Sequence, residues 1–227
     1  MTTLENHLSQ LKENIVGMMQ LVEGQLTKSQ QAFAKQDVAL AKEIHQIESR
    51  VDAHDLSIDK DCENIIALYN PVASDLRFVL ASFKIVAHLE RIGDHADKIA
   101  RYVRKKQIKH KYDKELLNSV RFNEMFNTAI EMVNMAIQAF VDEDTSMARQ
   151  VFVQDATLNE IYQASTQQID RYTSDATPHL DRLLYLFSII NKLERVGDLA
   201  KNIAEETIFY TDAKTLRHQK FKKLPEL

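Results

Sequence analysis

The sequence predicts an all-α protein built as two tandem three-helix bundles, six long antiparallel helices in all. Three observations predict it. Apolar residues recur at steps of three and four along almost the whole chain, the period of a helix buried on one face. Only 4 glycines and 3 prolines occur in 227 residues, too few turn formers for an all-β fold of that length. A twelve-residue segment also occurs twice. Leu89 to Ala100 reads LERIGDHADKIA and Leu193 to Ala204 reads LERVGDLAKNIA, identical at eight of twelve positions. The chain therefore divides into repeats at 1–110 and 111–227.

The elements follow in order. Leu4, Leu8, Leu11, Ile15, Met18 and Val22 form the seam of a first helix, stepping by 4, 3, 4, 3 and 4. Asp37 is a good N-cap for a second helix, whose seam runs through Ile44, Ile47, Val51, Ile58, Cys62, Ile65 and Tyr69. Asn70-Pro71 ends it, because the residue before a proline is pushed out of the helical region. A third helix follows, with Leu76, Val79, Phe83 and Val86 inward, and runs to about Arg104. The stretch 101–114 holds seven Lys or Arg and reads as a helix end plus connector. A fourth helix follows Asp113 and carries Phe122, Met125, Phe126, Ala129, Val133, Ala136 and Phe140 to the turn Asp142-Glu143-Asp144. A fifth covers about Thr145 to Asp175. Pro178 separates it from a sixth, about His179 to Tyr210, and a basic tail closes the chain. Helices of roughly 25–35 residues are ~40–50 Å long, and with short connections they pack as antiparallel bundles.

Composition narrows the function. Apolar residues make up 44% and charged residues 27%, which argues against disorder. A single cysteine, Cys62, excludes a disulfide framework and suits a reducing compartment. The longest apolar stretch, Leu183 to Ile190, is eight residues and includes Ser188, against the ~20 a membrane span needs. MTTLENHLSQ predicts no secretory signal. A net charge of −4 gives no global push toward nucleic acid. Gly17, Gly24, Gly93 and Gly197 are isolated, so no glycine loop is built to cradle a phosphate. No grouping of nucleophile, base and orienting residue stands out, so the sequence predicts a protein that is not an enzyme.

The chemistry lies in the repeated segment. Gly93 and Gly197 hold the same place in it. Glycine inside a helix costs about 1 kcal/mol relative to alanine, so its presence twice in register predicts a close approach there. A Glu-x-x-x-Asp pair is most often a solvated helix face. Here Glu90 falls four residues after Val86, and Glu194 four after Ile190, so each continues an apolar stripe. Carboxylates near a helix contact are costly unless neutralised. Glu48 and Asp52 form another such pair, and Asp155 lies in the matching stretch of the second repeat. Asp52 and Glu90 each lie 19 residues from Pro71, and Glu48 and Asp94 each 23. A hairpin turning there sets all four at matching heights. Asp155 and Asn159 balance Glu194 and Asp198 if the second hairpin turns near residues 176–177. Asp97 extends the first group. Clustered carboxylates without His or Cys suit hard, oxygen-seeking cations. His95 points about 100° away from Asp94 on a helical wheel, and His54 sits on the apolar seam, so neither reads as a ligand.

With the two LERxGD segments, the NPVASDLR stretch (Asn70 to Arg77) and IESRVDAHDLSIDKDC (Ile47 to Cys62), the chain resembles the PhoU family over nearly its whole length. The resemblance implies two three-helix bundles in tandem. It also implies metal clusters at the paired acidic motifs, which match here Glu48, Asp52, Glu90 and Asp94, then Asp155, Glu194 and Asp198. Asn159 departs from the family's usual acid, and Lys98 from its usual asparagine, whose counterpart is Asn202. The second repeat lacks the run that carries Asp75 and Arg77.

The family likeness implies a cytoplasmic regulatory adaptor in phosphate homeostasis, peripheral to the membrane at most. It would restrain the phosphate-starvation response by linking the ATPase subunit of a phosphate-importing ABC transporter to a sensor histidine kinase. A homodimer is the family's usual state. The metal would be iron, manganese, zinc or magnesium. Two other classes stand beside this reading. A ferritin-like oxidase wants Glu-x-x-His pairs, and the chain has none. A metal-binding bundle without a signalling role, or a bundle without metal at all, remains compatible with the residues. The basic stretch 101–114 suits a helix C-terminus, or alternatively an acidic partner or anionic lipid. The tail from Lys214 to Lys223 has the same two readings.

Overall fold

The computed structural model describes residues 2–108, 111–174 and 180–215. Within them the chain is an antiparallel helical assembly: α1 (Thr3–Lys35), α2 (Val38–Tyr69), α3 (Ala73–Arg104), α4 (Lys114–Ser119), α5 (Phe122–Asp142), α6 (Thr145–Ser174) and α7 (Leu180–Asp212). Helices α1, α2 and α3 pack on one another, as do α5, α6 and α7, and the two sets join along α3 and α7. One hydrophobic core runs through both. No helix among the described residues is long and apolar enough to cross a membrane.

The helix ends have local causes. Thr2 and Glu5 form a reciprocal capping box at the start of α1, satisfying two otherwise orphaned N–H groups. Asp37 caps α2 by accepting from the Leu40 N–H at 3.0 Å. Asn70 ends α2 in a left-handed conformation, φ 46°, and Pro71 prevents continuation. Asp144 caps α6, accepting from the N–H groups of Ser146 and Met147 at 2.8 and 3.0 Å.

The expected fourth helix is two. Arg121 adopts φ 50° and separates α4 from α5. No glycine or proline marks the break. A tertiary bond stabilises it: the Ser165 hydroxyl of α6 donates to the Val120 carbonyl at 2.5 Å, and Val120 and Phe122 are both buried. The described assembly thus has one short helix beyond the six expected. The Pro178 break and the turn at 176–177 lie outside the described residues, as does the chain beyond 215. The expected repeat boundary adjoins 109–110, which also lie outside them.

The α3–α7 seam positions everything below. Phe78 packs edge-on to Tyr210, centroids 5.4 Å apart. Lys84 pairs with Glu206 at 3.0 Å, and the Tyr102 and Ser188 hydroxyls lie 2.8 Å apart. Rising numbers on α3 meet falling numbers on α7, so the helices are antiparallel and the two LER segments meet at mid-seam. The connector is tied down beside it: Tyr112 donates to the Arg182 carbonyl at 2.9 Å, and Arg182 donates to the Lys111 carbonyl at 2.7 Å.

Candidate metal-binding faces

Both repeated glycines mark close approaches. A Cβ on Gly93 would lie 2.8 Å from Gln25 Oε1 and 3.1 Å from Glu48 Oε2. A Cβ on Gly197 would lie 2.2 Å from Leu158 Cδ2. Each glycine thus lets the preceding helix of its own repeat press against the LER segment. That contact brings the acids of α2 beside those of α3, and those of α6 beside those of α7.

On the first face Glu48, Asp52, Glu90 and Asp94 are brought together. Burial pushes the Glu48 carboxyl up to about 7; a hydrogen bond from Gln25 opposes the shift, and the charges of Asp52, Asp97 and Asp94 add to it. Gln25 Nε2 donates to Glu48 Oε2 at 2.6 Å. Burial likewise raises Glu90, reinforced by Asp94, Asp55 and Asp52, with Arg91 opposing. Asp55 is raised by burial and by Asp59 and Asp52. Cations answer only part of this charge. Lys98 pairs with Asp94, and Arg104 pairs with Asp97 at 2.9 Å; the His45 ring Nδ1 lies 3.3 Å from the same Asp97 oxygen. Glu48, Asp52, Glu90 and Asp55 have no cation within ion-pair distance among the described residues.

The second face is built differently. Asp155, Glu194 and Asp198 come together, but Lys201 stands among them. Its Nζ lies 2.8 Å from Asp155 Oδ2 and 3.7 Å from Asp198 Oδ1. Burial works against the lysine's charge, and the hydrogen bond to Asp155 with the charges of Asp155 and Asp198 outweighs it, holding its pKa above the ordinary range. Burial, then Asp198, raises Glu194, with Arg195 opposing. Lys201 occupies the repeat position held by Asp97 in the first half, which reverses the charge at that point.

Among the described residues no three His, Cys, Asp or Glu side chains converge as ligands for a single ion. The first face nevertheless has the donor chemistry for a hard cation: oxygen ligands only, an excess of negative charge and carboxylates pushed toward neutrality. On the second face an internal ammonium already supplies that charge. His95 does not join the acids but turns into the α3–α7 groove. His54 lies against α1, its Cε1 3.8 Å from where a Gly17 Cβ would be.

Two participants, Asp55 and Gln25, lie outside the repeated acidic motifs. Asp55 lies seven residues after Glu48 and three after Asp52, a spacing that shares their helix face. Gln25 continues the apolar seam of α1, three residues past Val22. A polar residue on such a seam is a signal for a buried hydrogen bond.

Comparison with known proteins accords with this architecture. The PhoU domain model matches twice, over residues 15–103 and 122–207, the two three-helix units. A phosphate-specific transport system accessory protein PhoU homolog from Aquifex aeolicus is 32% identical over 223 residues, spanning 98% of this chain and 99% of that protein. The phosphate-specific transport system accessory protein PhoU of Escherichia coli K12 is 30% identical over 211 residues, 93% of this chain and 86% of that protein. The crystal structure of PhoU from Pseudomonas aeruginosa superposes with a TM-score of 0.87 at 28% identity, over 93% of this chain and 100% of that one. That of the phosphate transport system regulatory protein PhoU from Streptococcus pneumoniae gives 0.84 at 26%, over 94% and 99%. The chain belongs to the PhoU family.

Proposed function

We propose that this protein is a cytoplasmic negative regulator of the phosphate-starvation response. It acts as an adaptor between the ATPase subunit of a phosphate ABC transporter and a sensor histidine kinase, and works as a homodimer. The observation that carries the reading is the end-to-end likeness to accessory proteins of phosphate-specific transport. Exposed helix faces suit such a role, because an adaptor needs surfaces rather than bond-making groups. Lys105 and Lys106 at the end of α3 are exposed and offer a contact to an acidic partner, whereas Arg104 is engaged by Asp97.

A divalent or trivalent cation (iron, manganese, zinc or magnesium) belongs to the same proposal. The first face favours it, with Glu48, Asp52, Glu90 and Asp94 as ligands. Such an ion would neutralise a half-buried cluster of like charge and so stiffen the α2–α3 hairpin. Asp155, Glu194 and Asp198 are the weaker set, since Lys201 competes for the same oxygens.

Crosslinked capture of the tagged protein from membranes of phosphate-replete cells tests the adaptor role. Recovery of a transporter ATPase together with a histidine kinase is the expected result. Recovery of neither, with the protein purified metal-loaded, favours a metal-binding bundle without a signalling role.

A further inference from the structure

Arg91 and Arg195 are the third residues of the two LER segments. Because α3 and α7 are antiparallel, both border one pocket of about 290 Å3 on the seam, with Lys201, Asn202, His95 and Asp198. The two arginines are exposed. Asp198 is the one carboxylate lining the pocket, and it already faces Lys201 at 3.7 Å. Arg195 has Glu194 at 3.8 Å. Arg91 has no carboxylate within ion-pair distance among the described residues. Lys192, three residues before Arg195, also lacks one: its ammonium donates only to Ser188 Oγ at 2.8 Å, the Tyr102 hydroxyl at 3.2 Å and the Ser188 carbonyl at 3.3 Å. The seam therefore carries positive charge that the protein does not cancel.

His95 borders the same pocket, and its Nδ1 is buried without a hydrogen-bond partner among the described residues.

The geometry points to a binding site for a small tetrahedral oxyanion of the phosphate type in this groove, held by Arg91 and Arg195 with Lys201 and Asn202. Two guanidiniums offer planar donor forks that match oxyanion geometry bidentately. The Lys201 ammonium and the Asn202 carboxamide add donors from one side. The volume sits at the low end of small-molecule pockets, roughly 300–1,000 Å3, which suits an ion rather than a nucleotide. The flanks argue against an acidic protein surface as the occupant. Glu90 and Glu194 stand next to the two arginines in sequence, so a broad acidic partner would meet like charge on both sides, whereas a small ion fits between.

The site is internal to the chain and independent of the adaptor role; only the choice of inorganic phosphate as probe rests on that reading. Equilibrium dialysis of the full-length, chelator-treated protein against radiolabelled inorganic phosphate tests it. The expected result is saturable binding near one equivalent, weakened at least tenfold in the Arg91→Gln/Arg195→Gln double variant, with circular dichroism and Tm unchanged. Absence of saturable binding in the wild type overturns the proposal, as does equal binding by the double variant. Binding that appears only when divalent metal is restored also overturns it, because phosphate would then be riding on metal at the acidic faces. A double variant that loses phosphate yet still captures the transporter and kinase leaves the adaptor reading standing.

Discussion

Lys201 Nζ reaches from α7 to within 2.8 Å of Asp155 Oδ2 on α6, at the repeat position where the first half carries Asp97. The two acidic faces share a backbone plan and differ in how their charge is met. In the second a lysine bridges two of the acids, while in the first Lys98 and Arg104 pair only with Asp94 and Asp97 and leave Glu48, Asp52 and Glu90 without a cation within ion-pair distance among the described residues.

Replacing Lys201 with glutamine removes that cation and leaves Asp155, largely buried, facing Asp198 uncompensated. The expected cost in chelator is about 1–3 kcal/mol of stability, the range for stranding a buried polar partner. Divalent metal should recover part of the loss, and metal content by mass spectrometry should rise above wild type. An unchanged metal content would show that Lys201 does not compete for those oxygens.

The first face predicts a pH dependence of definite sign. Glu48 titrates at about 7 in the folded protein against an ordinary 4.5. The folded state therefore holds a proton that the unfolded state releases, and stability falls as pH rises between those values, then levels. In chelator, denaturation midpoints should decline from pH 4.5 to 7 in the wild type and decline less in Glu48→Gln. That variant retains an acceptor for Gln25 and carries no charge to bury.

Metal binding should follow the acids of the α2–α3 hairpin. Glu90→Ala with Asp94→Ala should lower bound metal, and divalent cation should raise the wild-type Tm, more at pH 8 than at pH 5, where Glu48 is protonated. Equal metal in wild type and double variant would remove Glu90 and Asp94 from the ligand set.

Gly197→Ala sets two effects against each other. Alanine gains about 1 kcal/mol of helix propensity. Its Cβ would meet Leu158 Cδ2 at 2.2 Å in a filled core, and overpacking of this kind costs about 1–3 kcal/mol. Net destabilisation is expected by urea denaturation, and Leu158→Ala in the same chain should relieve the clash while adding a cavity.

The seam between the repeats depends on a buried acid. Glu206 is 3% exposed and pairs with Lys84 across α3 and α7. Lys84→Met should destabilise the fold by about 1–3 kcal/mol. A Tm unchanged at pH 7 would show that the pair does not hold the seam.

Much of this was legible in the sequence because its causes are local. Asn70-Pro71 ends a helix by backbone sterics, Asp37 starts one by side-chain capping, and equal offsets from Pro71 place Glu48 and Asp52 opposite Asp94 and Glu90. What escaped depends on partners distant in sequence. The break at Val120–Arg121 rests on a hydrogen bond from Ser165. The role of Lys201 rests on Asp155, 46 residues earlier. The convergence of Arg91 and Arg195 needs the antiparallel seam, which periodicity within single helices does not specify.

The regulatory role is tested by the output of a phosphate-starvation promoter in cells that lack this protein. In phosphate-replete medium the deletion should raise that output severalfold, and the restored wild-type chain should return it to baseline. Output unchanged by the deletion would rule out a negative regulator of that response.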